Sequence, residues 1–256
     1  MLLAIDVGNT NTLFALLDGM EVRYRWRMET RAGRTADEYM AFLTQHFALA
    51  GLDRTAVDDI VASSVVPPAV FNLRRLADEH FGIEPLFVTK DIDIGIGIDV
   101  PNPAEVGADR LVNSAAAYHE HGDNIIVVDF GTATTFDIVS GGAYAGGVIA
   151  PGINLAVDAL YAASAQLPRV AVAPPADGKA WAKGTVNAMQ SGIFFGYIGL
   201  IEGLVSRIRD EAERDMLCIA TGGLAPIFDR HTDIIERVDG DLTVRGLALI
   251  AARNKR

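Results

Sequence analysis

One short loop occurs twice in this chain, and that repeat limits the folds open to it. Asp6-Val7-Gly8-Asn9-Thr10-Asn11-Thr12 returns as Asp129-Phe130-Gly131-Thr132-Ala133-Thr134-Thr135, 123 residues later in a chain of 256. Each copy follows an apolar, strand-like run, Leu2-Leu3-Ala4-Ile5 in one case and Ile125-Ile126-Val127-Val128 in the other. An offset close to half the chain points to two equivalent halves. The loop chemistry suits phosphate. Glycine lets the backbone turn and bring its N–H groups close to an anion. Threonine and asparagine add neutral donors. The aspartate, itself negative, meets phosphate only through a cation or a water. A single Asp-Gly pair reads as a turn or a helix cap. Two copies at half-chain spacing read instead as two loops gripping one nucleotide across a cleft.

Composition narrows the class. The length suits two domains of about 120 residues, each large enough for its own core, and we expect them at 1–117 and 118–256. Half of the residues are hydrophobic, and 33 acidic residues against 22 basic ones leave a net charge of −11. A general nucleic-acid binder needs a basic stripe that releases counterions, so no nucleic-acid partner is expected. The chain opens straight into a strand, without a basic leader segment, and no signal peptide is expected. No apolar run approaches the roughly 20 residues of a spanning helix, so no membrane partner is expected either. The single cysteine, Cys218, lies in the apolar run Met216–Ala220 and reads as a buried structural residue. These features together fit a cytoplasmic protein.

Along the chain, Asp18-Gly19 marks a hairpin, followed by an alternating strand over 22–28. Helical spacing at Tyr39, Phe42, Leu43, Phe47 and Ala50 predicts a helix over 35–50, stopped by Gly51. A strand from Ile60 runs out to Pro67-Pro68, then a helix near 69–81 and a strand near 86–88. Residues 107–120 read as a linking helix. The second half repeats the order, with strands near 125–128, 136–139 and 144–149, helices near 153–166 and 185–213, a strand at 216–220, a Gly222-Gly223 turn and a last helix near 243–253. The charged run Arg207–Arg214 reads as the solvated face of a helix. His46, His80, His119, His121 and His231 show no zinc spacing, and no Gly-x-x-x-x-Gly-Lys-Ser/Thr segment is present.

Two such halves, each opening with an Asp-x-Gly loop, resemble the superfamily of acetate kinase, sugar kinases, heat-shock chaperone ATPases and actin. The implied fold is α/β, with two ribonuclease H-like, actin-like ATPase domains related by internal duplication. Gly222-Gly223 after an apolar strand resembles that superfamily's adenosine motif, although an ordinary strand-to-helix turn has the same appearance. Further segments narrow the likeness: Glu105-Val106-Gly107-Ala108-Asp109-Arg110, Gly146-Gly147-Val148-Ile149-Ala150-Pro151-Gly152 and Gly184-Thr185-Val186-Asn187-Ala188-Met189-Gln190-Ser191-Gly192. With the two loops and Ser63–Val66, they resemble the type III pantothenate kinases over essentially the whole chain. Gly-Ala-Asp-Arg is the most specific element.

That resemblance implies phosphorylation of pantothenate to 4′-phosphopantothenate by ATP, the first step of coenzyme A synthesis. It implies ATP contacts from Asp6, Val7, Gly8, Asn9, Thr10, Asn11, Thr12 and Leu13, with Thr132, Gly222 and Gly223 adding others. Asp129 is implied to hold a monovalent cation, potassium or ammonium, while magnesium travels with ATP. Val100, Gly107, Ala108, Asp109, Arg110 and Thr185 are the implied pantothenate residues, with Asp109 as catalytic base. A homodimer, built largely from the second half, is implied as well. Val100 stands where the family usually has an aromatic residue, and Pro101 where the common pattern has aspartate, so the pocket wall is expected to be reshaped there. Independently, a carboxylate at a helix start sits near positive dipole ends and is expected to stay ionised, as a proton acceptor must. Arg110 offers a planar fork for a carboxylate. The rival readings are another small-molecule kinase of the superfamily and a non-enzymatic nucleotide-binding accessory protein. Degeneration to the latter is expected to remove Asp109 or a loop aspartate, and all three are present.

Overall fold

The computed structural model of the chain describes residues 1–164 and 166–255. The first half contains β1 (Leu2–Val7), β2 (Asn11–Asp18), β3 (Glu21–Glu29), α1 (Ala36–Leu49), β4 (Asp59–Ser64), α2 (Pro67–Arg75), β5 (Leu86–Phe87), β6 (Gly97–Ile98) and α3 (Ala108–His121). The second contains β7 (Ile125–Phe130), β8 (Ala133–Ser140), β9 (Ala143–Pro151), α4 (Ile153–Ala163), α5 (Thr185–Ala212), β10 (Leu217–Gly222), α6 (Ala225–Asp229), β11 (Arg237–Val238) and α7 (Leu242–Arg253). Three strands, a helical segment, a strand, a helix, a short strand and a closing helix thus occur twice, as the duplicated loop predicts. The short elements β6, α6 and β11 carry too few residues for a periodic signal. The helix expected over 153–166 ends at Ala163, and Ala165 lies outside the described residues.

The first sheet has the order β3-β2-β1-β4-β5. Its β1 is antiparallel to β2 and parallel to β4. Alternation along β1 divides its side chains between two cores. Leu3, Ile5 and Val7 pack with Tyr39, Leu43 and Leu73 from α1 and α2. Ala4 packs on the opposite face with Leu111 and Val112 of α3 and Leu247 and Ile250 of α7. Asp6 follows Ala4 by two and so projects from the α3 face. Helix α1 begins as its sequence dictates: the Thr35 hydroxyl accepts from the Glu38 N–H at 3.3 Å, while the Glu38 carboxylate accepts from the Thr35 N–H at 2.8 Å. That reciprocal cap fixes the exit of the chain from β3.

The second sheet has the order β11-β10-β7-β8-β9-β6. Its core joins Ile126, Val128 and Phe130 of β7 to Cys218 and Ala220 of β10 and to Phe194, Ile198 and Ile201 of α5. Burial pushes the Cys218 thiol up to about 12, so it stays neutral and structural.

The chain forms two compact units, one of Met1–His121, Gly142–Tyr144 and the chain from Asp241 onward, the other of Gly122–Gly141 and Ala145–Gly240. This grouping differs from a division at 117/118. The closing helix of the second repeat, α7, is a member of the first unit, where it lies against α3. Gly246 provides the seat, since a Cβ there would come within 2.5 Å of the Val112 carbonyl oxygen. Helix α5 also departs from expectation. At 28 residues it is long and apolar enough to cross a membrane by length and composition. Its Phe194, Tyr197, Ile198, Ile201 and Val205 are nevertheless buried in the second unit's core. The charged run at its end is not wholly solvated: Arg209 donates to the Met216 carbonyl at 2.7 Å and to Glu236 at 2.6 Å.

Candidate active site

In the first unit the site residues gather at the carboxyl ends of the parallel strands β1 and β4, where α/β sheets commonly bind ligands. Asp6 pairs in register with Ser63, and its carboxylate accepts from the Ser63 hydroxyl at 2.6 Å. The turn that follows closes by a bond from the Gly8 N–H to the Asn11 carbonyl at 3.0 Å. Asn9, Thr10 and Asn11 are exposed, whereas Val7 and Thr12 are buried and Leu13 packs on the α3-side core. Among the eight residues Asp6–Leu13, direct side-chain contact with a ligand is therefore open mainly to the exposed turn, and Val7 and Leu13 offer backbone.

Beside that turn stands the start of α3. The Gly107 carbonyl accepts from the N–H groups of Arg110 and Leu111 at 3.1 and 3.3 Å, and Asp109 lies in the first turn. Gly107 leaves room for the Asp109 carboxylate. A Cβ there would lie 2.5 Å from Asp109 Oδ1 and 3.5 Å from Val65 Cγ1. Val65 is itself tied to β1, donating its N–H to the Val7 carbonyl at 3.0 Å. Val65 thus lies between the end of β1 and Gly107, and Gly107 against Asp109. Burial pushes the Asp109 carboxyl above its ordinary range, opposed by the Arg110 N–H, which donates to Oδ1 at 2.8 Å, and by the Arg110 charge. Desolvation therefore acts on Asp109 in the direction opposite to the helix terminus, which favours the ionised form.

Arg110 lies over the Tyr144 ring, its Cζ 5.6 Å from the centroid. Tyr144 is almost wholly buried, and its carbonyl accepts from the Asp99 N–H at 2.9 Å, beside Val100. Val100 joins the surrounding apolar cluster, to which Tyr144 belongs. The aromatic surface at Arg110 thus comes from β9, a position that sequence reasoning passed over. Alternation placed Tyr144 in a strand, but nothing in the local sequence linked it to residue 110.

In the second unit Asp129 occupies the place of Asp6, paired with Thr135 on β8 and Thr221 on β10. The two turns differ in one respect. The first hairpin closes after the pair Val7↔Thr12, the second after Phe130↔Thr134, with the Gly131 N–H donating to the Ala133 carbonyl at 3.0 Å. The second turn is one residue shorter although the loops align without a gap. Thr134, not Thr135, is therefore the structural counterpart of Thr12, and both are buried. Gly131 and Thr132 form the exposed tip.

Two further glycines hold that tip. A Cβ on Gly152 would overlap the Thr132 carbonyl oxygen and come within 2.9 Å of the Gly131 oxygen. Gly222, at φ +91°, would place a Cβ 2.7 Å from the Phe130 oxygen and 2.8 Å from Asp129 Oδ1. Gly223 is exposed beside it. Thr185 is the exposed first residue of α5, whose N-cap is Gly184 and has no side-chain cap bond. Among the described residues no cluster of three or more His, Cys, Asp or Glu is placed to hold a metal ion.

The family described as type III pantothenate kinase matches residues 2–207. A type III pantothenate kinase of Rhodospirillum rubrum is 54% identical over 259 residues, covering 100% of this chain and 99% of that protein. One of Caulobacter vibrioides is 50% identical over 255 residues, covering 99% and 98%. Among solved structures, a Campylobacter jejuni protein described as belonging to a Baf family of transcriptional activators superposes with a TM-score of 0.63 at 20% identity, covering 98% of each chain. Sugar-kinase-like structures are also similar to this chain, and the fold is the duplicated actin-like ATPase one. The full-length identities settle the rest: the chain belongs to the type III pantothenate kinase family, phosphotransferases of coenzyme A synthesis.

Proposed function

We propose that this chain transfers the γ-phosphoryl group of ATP to the terminal hydroxyl of pantothenate, with Asp109 accepting the hydroxyl proton. The observation that carries the reading is the Gly107–Arg110 segment. It is intact in sequence and folded so that the carboxylate stands at a helix start, beside the loop after β1. Phosphoryl transfer asks the protein mainly to position groups and neutralise charge. The exposed turn Asn9–Asn11 and its counterpart Gly131-Thr132 supply neutral donors to phosphate oxygens. Asp6 would hold, directly or through water, the magnesium that travels with ATP, and that ion would supply positive charge. Asp129 would hold the monovalent cation. The raised pKa of Asp109 brings its basicity nearer the operating pH, which favours a general base.

On the substrate side, Arg110 meets the pantothenate carboxylate in a charge-assisted bond, with its guanidinium oriented by the Tyr144 ring. Thr185 adds a hydroxyl. The homodimer forms through the second unit, where Ile149, Leu155, Leu160, Tyr161, Trp181 and Val186 are large apolar side chains left exposed. Large apolar side chains left exposed in one unit favour a protein partner. The enzyme works in the cytoplasm, where its two substrates meet.

The test is a coupled ADP-release assay with ATP, magnesium and potassium, with and without pantothenate. Pantothenate-dependent ADP release together with 4′-phosphopantothenate as product is the expected result. ADP release indifferent to pantothenate, or specific to another alcohol, refutes the proposal.

A further inference from the structure

The loop Asp6–Leu13 contains no lysine or arginine, yet it is the proposed seat of a polyphosphate and itself carries a carboxylate. A cation stands close by, on the segment between β3 and α1. The chain leaving β3 is bonded to the loop: the Thr30 N–H donates to the Thr10 carbonyl at 2.9 Å, and the Thr12 and Thr30 hydroxyls are 2.8 Å apart. Four residues on, the Arg34 N–H donates to the Arg31 carbonyl at 3.0 Å, so the segment turns back toward the loop. The half-buried Arg34 guanidinium then lies 5.9 Å from the Tyr39 ring centroid. Its Nη1 reaches the Met28 sulfur at 3.1 Å, and Met28 is the cross-strand neighbour of Thr12.

The partners of this guanidinium are poor for a cation. A thioether is a weak acceptor. Arg34 Nε is buried without an acceptor, and so is the Tyr39 hydroxyl, which faces Thr12 without reaching hydrogen-bond geometry. Among the described residues no carboxylate lies within ion-pair distance of Arg34. The two nearby acids are engaged elsewhere, Glu38 in the Thr35 cap and Glu29 with Arg31. An arginine held this way loses little when it turns about its stem to a better acceptor. A charge-assisted bond to an oxyanion is the strong alternative.

We infer that Arg34 is a further nucleotide-binding residue, whose guanidinium takes a phosphoryl oxygen of ATP seated on the turn Gly8–Asn11. The inference rests on the proposed assignment of that turn to ATP phosphates, but not on which alcohol is phosphorylated. A purely structural Arg34 would pack over Tyr39 and leave nucleotide affinity alone.

The experiment measures MgATP, MgADP and adenosine binding by calorimetry, without pantothenate, for the wild-type chain, Arg34→Met and Arg34→Lys. Methionine keeps the apolar stem and removes the charge. Loss of a charged hydrogen bond should raise the MgATP Kd by about 10–150-fold, with adenosine binding and the melting temperature little changed. Lysine, a point charge without the fork, should fall between. An unchanged MgATP Kd in Arg34→Met overturns the inference, and so does a lower melting temperature with equal losses for ATP and adenosine. If methionine prevents folding, the Arg34→Lys comparison decides by the same criterion. A wild-type chain that binds MgATP but does not phosphorylate pantothenate would refute the proposed substrate while leaving the Arg34 comparison decisive.

Discussion

Replacing Gly107 by alanine should damage catalysis far more than folding, and the structure gives the reason and the size. The added Cβ would stand 2.5 Å from Asp109 Oδ1 and 3.5 Å from Val65 Cγ1. Only the first contact is untenable, since ordinary carbon–oxygen contact needs about 3.4 Å, which leaves roughly 1 Å for the carboxylate to move. A carboxylate at the end of a side chain can rotate away, so the backbone of α3 need not shift. The rotation sacrifices the bond that Oδ1 accepts from the Arg110 N–H, a cost of about 0.5–1.5 kcal/mol to stability. Misplacement of a reacting group by about 1 Å costs on the order of 10²-fold in rate. The expected Gly107→Ala enzyme therefore has a kcat about 100-fold lower, a modestly lower melting temperature and an ATP KM close to wild type. The ADP-release assay at saturating substrates reads the first, and a thermal melt the second. A double variant makes the argument refutable. If Gly107 acts only by placing Asp109, then Gly107→Ala added to Asp109→Asn should cost nothing further, because groups that act as a unit are not additive. A wild-type kcat in Gly107→Ala, or a double variant slower than Asp109→Asn by another full factor of about 100, would refute the reasoning.

Asp109→Asn keeps the shape but removes the proton acceptor, and kcat should fall by roughly 10²–10⁴-fold. Because burial raises the Asp109 pKa in the folded chain, the folded state holds its proton at pH values where the unfolded chain has lost it. Its contribution to stability therefore falls as pH rises from the unfolded to the folded pKa. Asp109→Asn should melt no lower than wild type at neutral pH, and any advantage should vanish in acid; a variant less stable at pH 7 and equal in acid would contradict the direction. Wild-type turnover should rise when sodium is replaced by potassium or ammonium at constant ionic strength, and Asp129→Ala should abolish that response; equal rates in sodium and potassium would dismiss the assignment. Arg110→Ala should lower kcat/KM for pantothenate by roughly 10–150-fold and Thr185→Val by about 2–13-fold, as expected for charged and neutral hydrogen bonds. Loss of ATP affinity with an unchanged pantothenate KM in both variants would move the substrate site elsewhere.

Much of this architecture is legible in the sequence because duplication doubles the signal. The paired loops locate β1 and β7, and the alternation of Val22–Met28 and the spacing from Tyr39 to Phe47 place β3 and α1 to within a residue or two. Gly107–Arg110 stands out because its residue types and its position at a helix start agree. What remains illegible is of two kinds. Two-residue strands such as β6 and β11 are fixed by the strands they pair with, not by a period of their own. The packing of α7 in the first unit depends on Gly246 meeting Val112, a contact between residues 134 positions apart. Tyr144 beneath Arg110 is hidden for the same reason.

The unequal turns show why a sequence repeat is not yet a structural one. Aligned by residue, Thr12 corresponds to Thr135. Aligned by strand pairing from the aspartates, it corresponds to Thr134. A shift of one residue sends a strand side chain to the opposite face. The difference is absorbed within the turns, so Phe14 and Phe136 still both reach buried positions. The first turn keeps three exposed polar residues, Asn9, Thr10 and Asn11, while the second exposes Gly131 and Thr132 and is backed by Gly152 and Gly222. The tighter turn is packed against Gly222, where a Cβ would meet both the Phe130 carbonyl oxygen and the Asp129 carboxylate. The wider one presents side-chain donors suited to an anion. One loop sequence, repeated but paired one residue shorter the second time, thus yields two different surfaces, a wide turn of exposed side-chain donors and a tight turn backed by glycines.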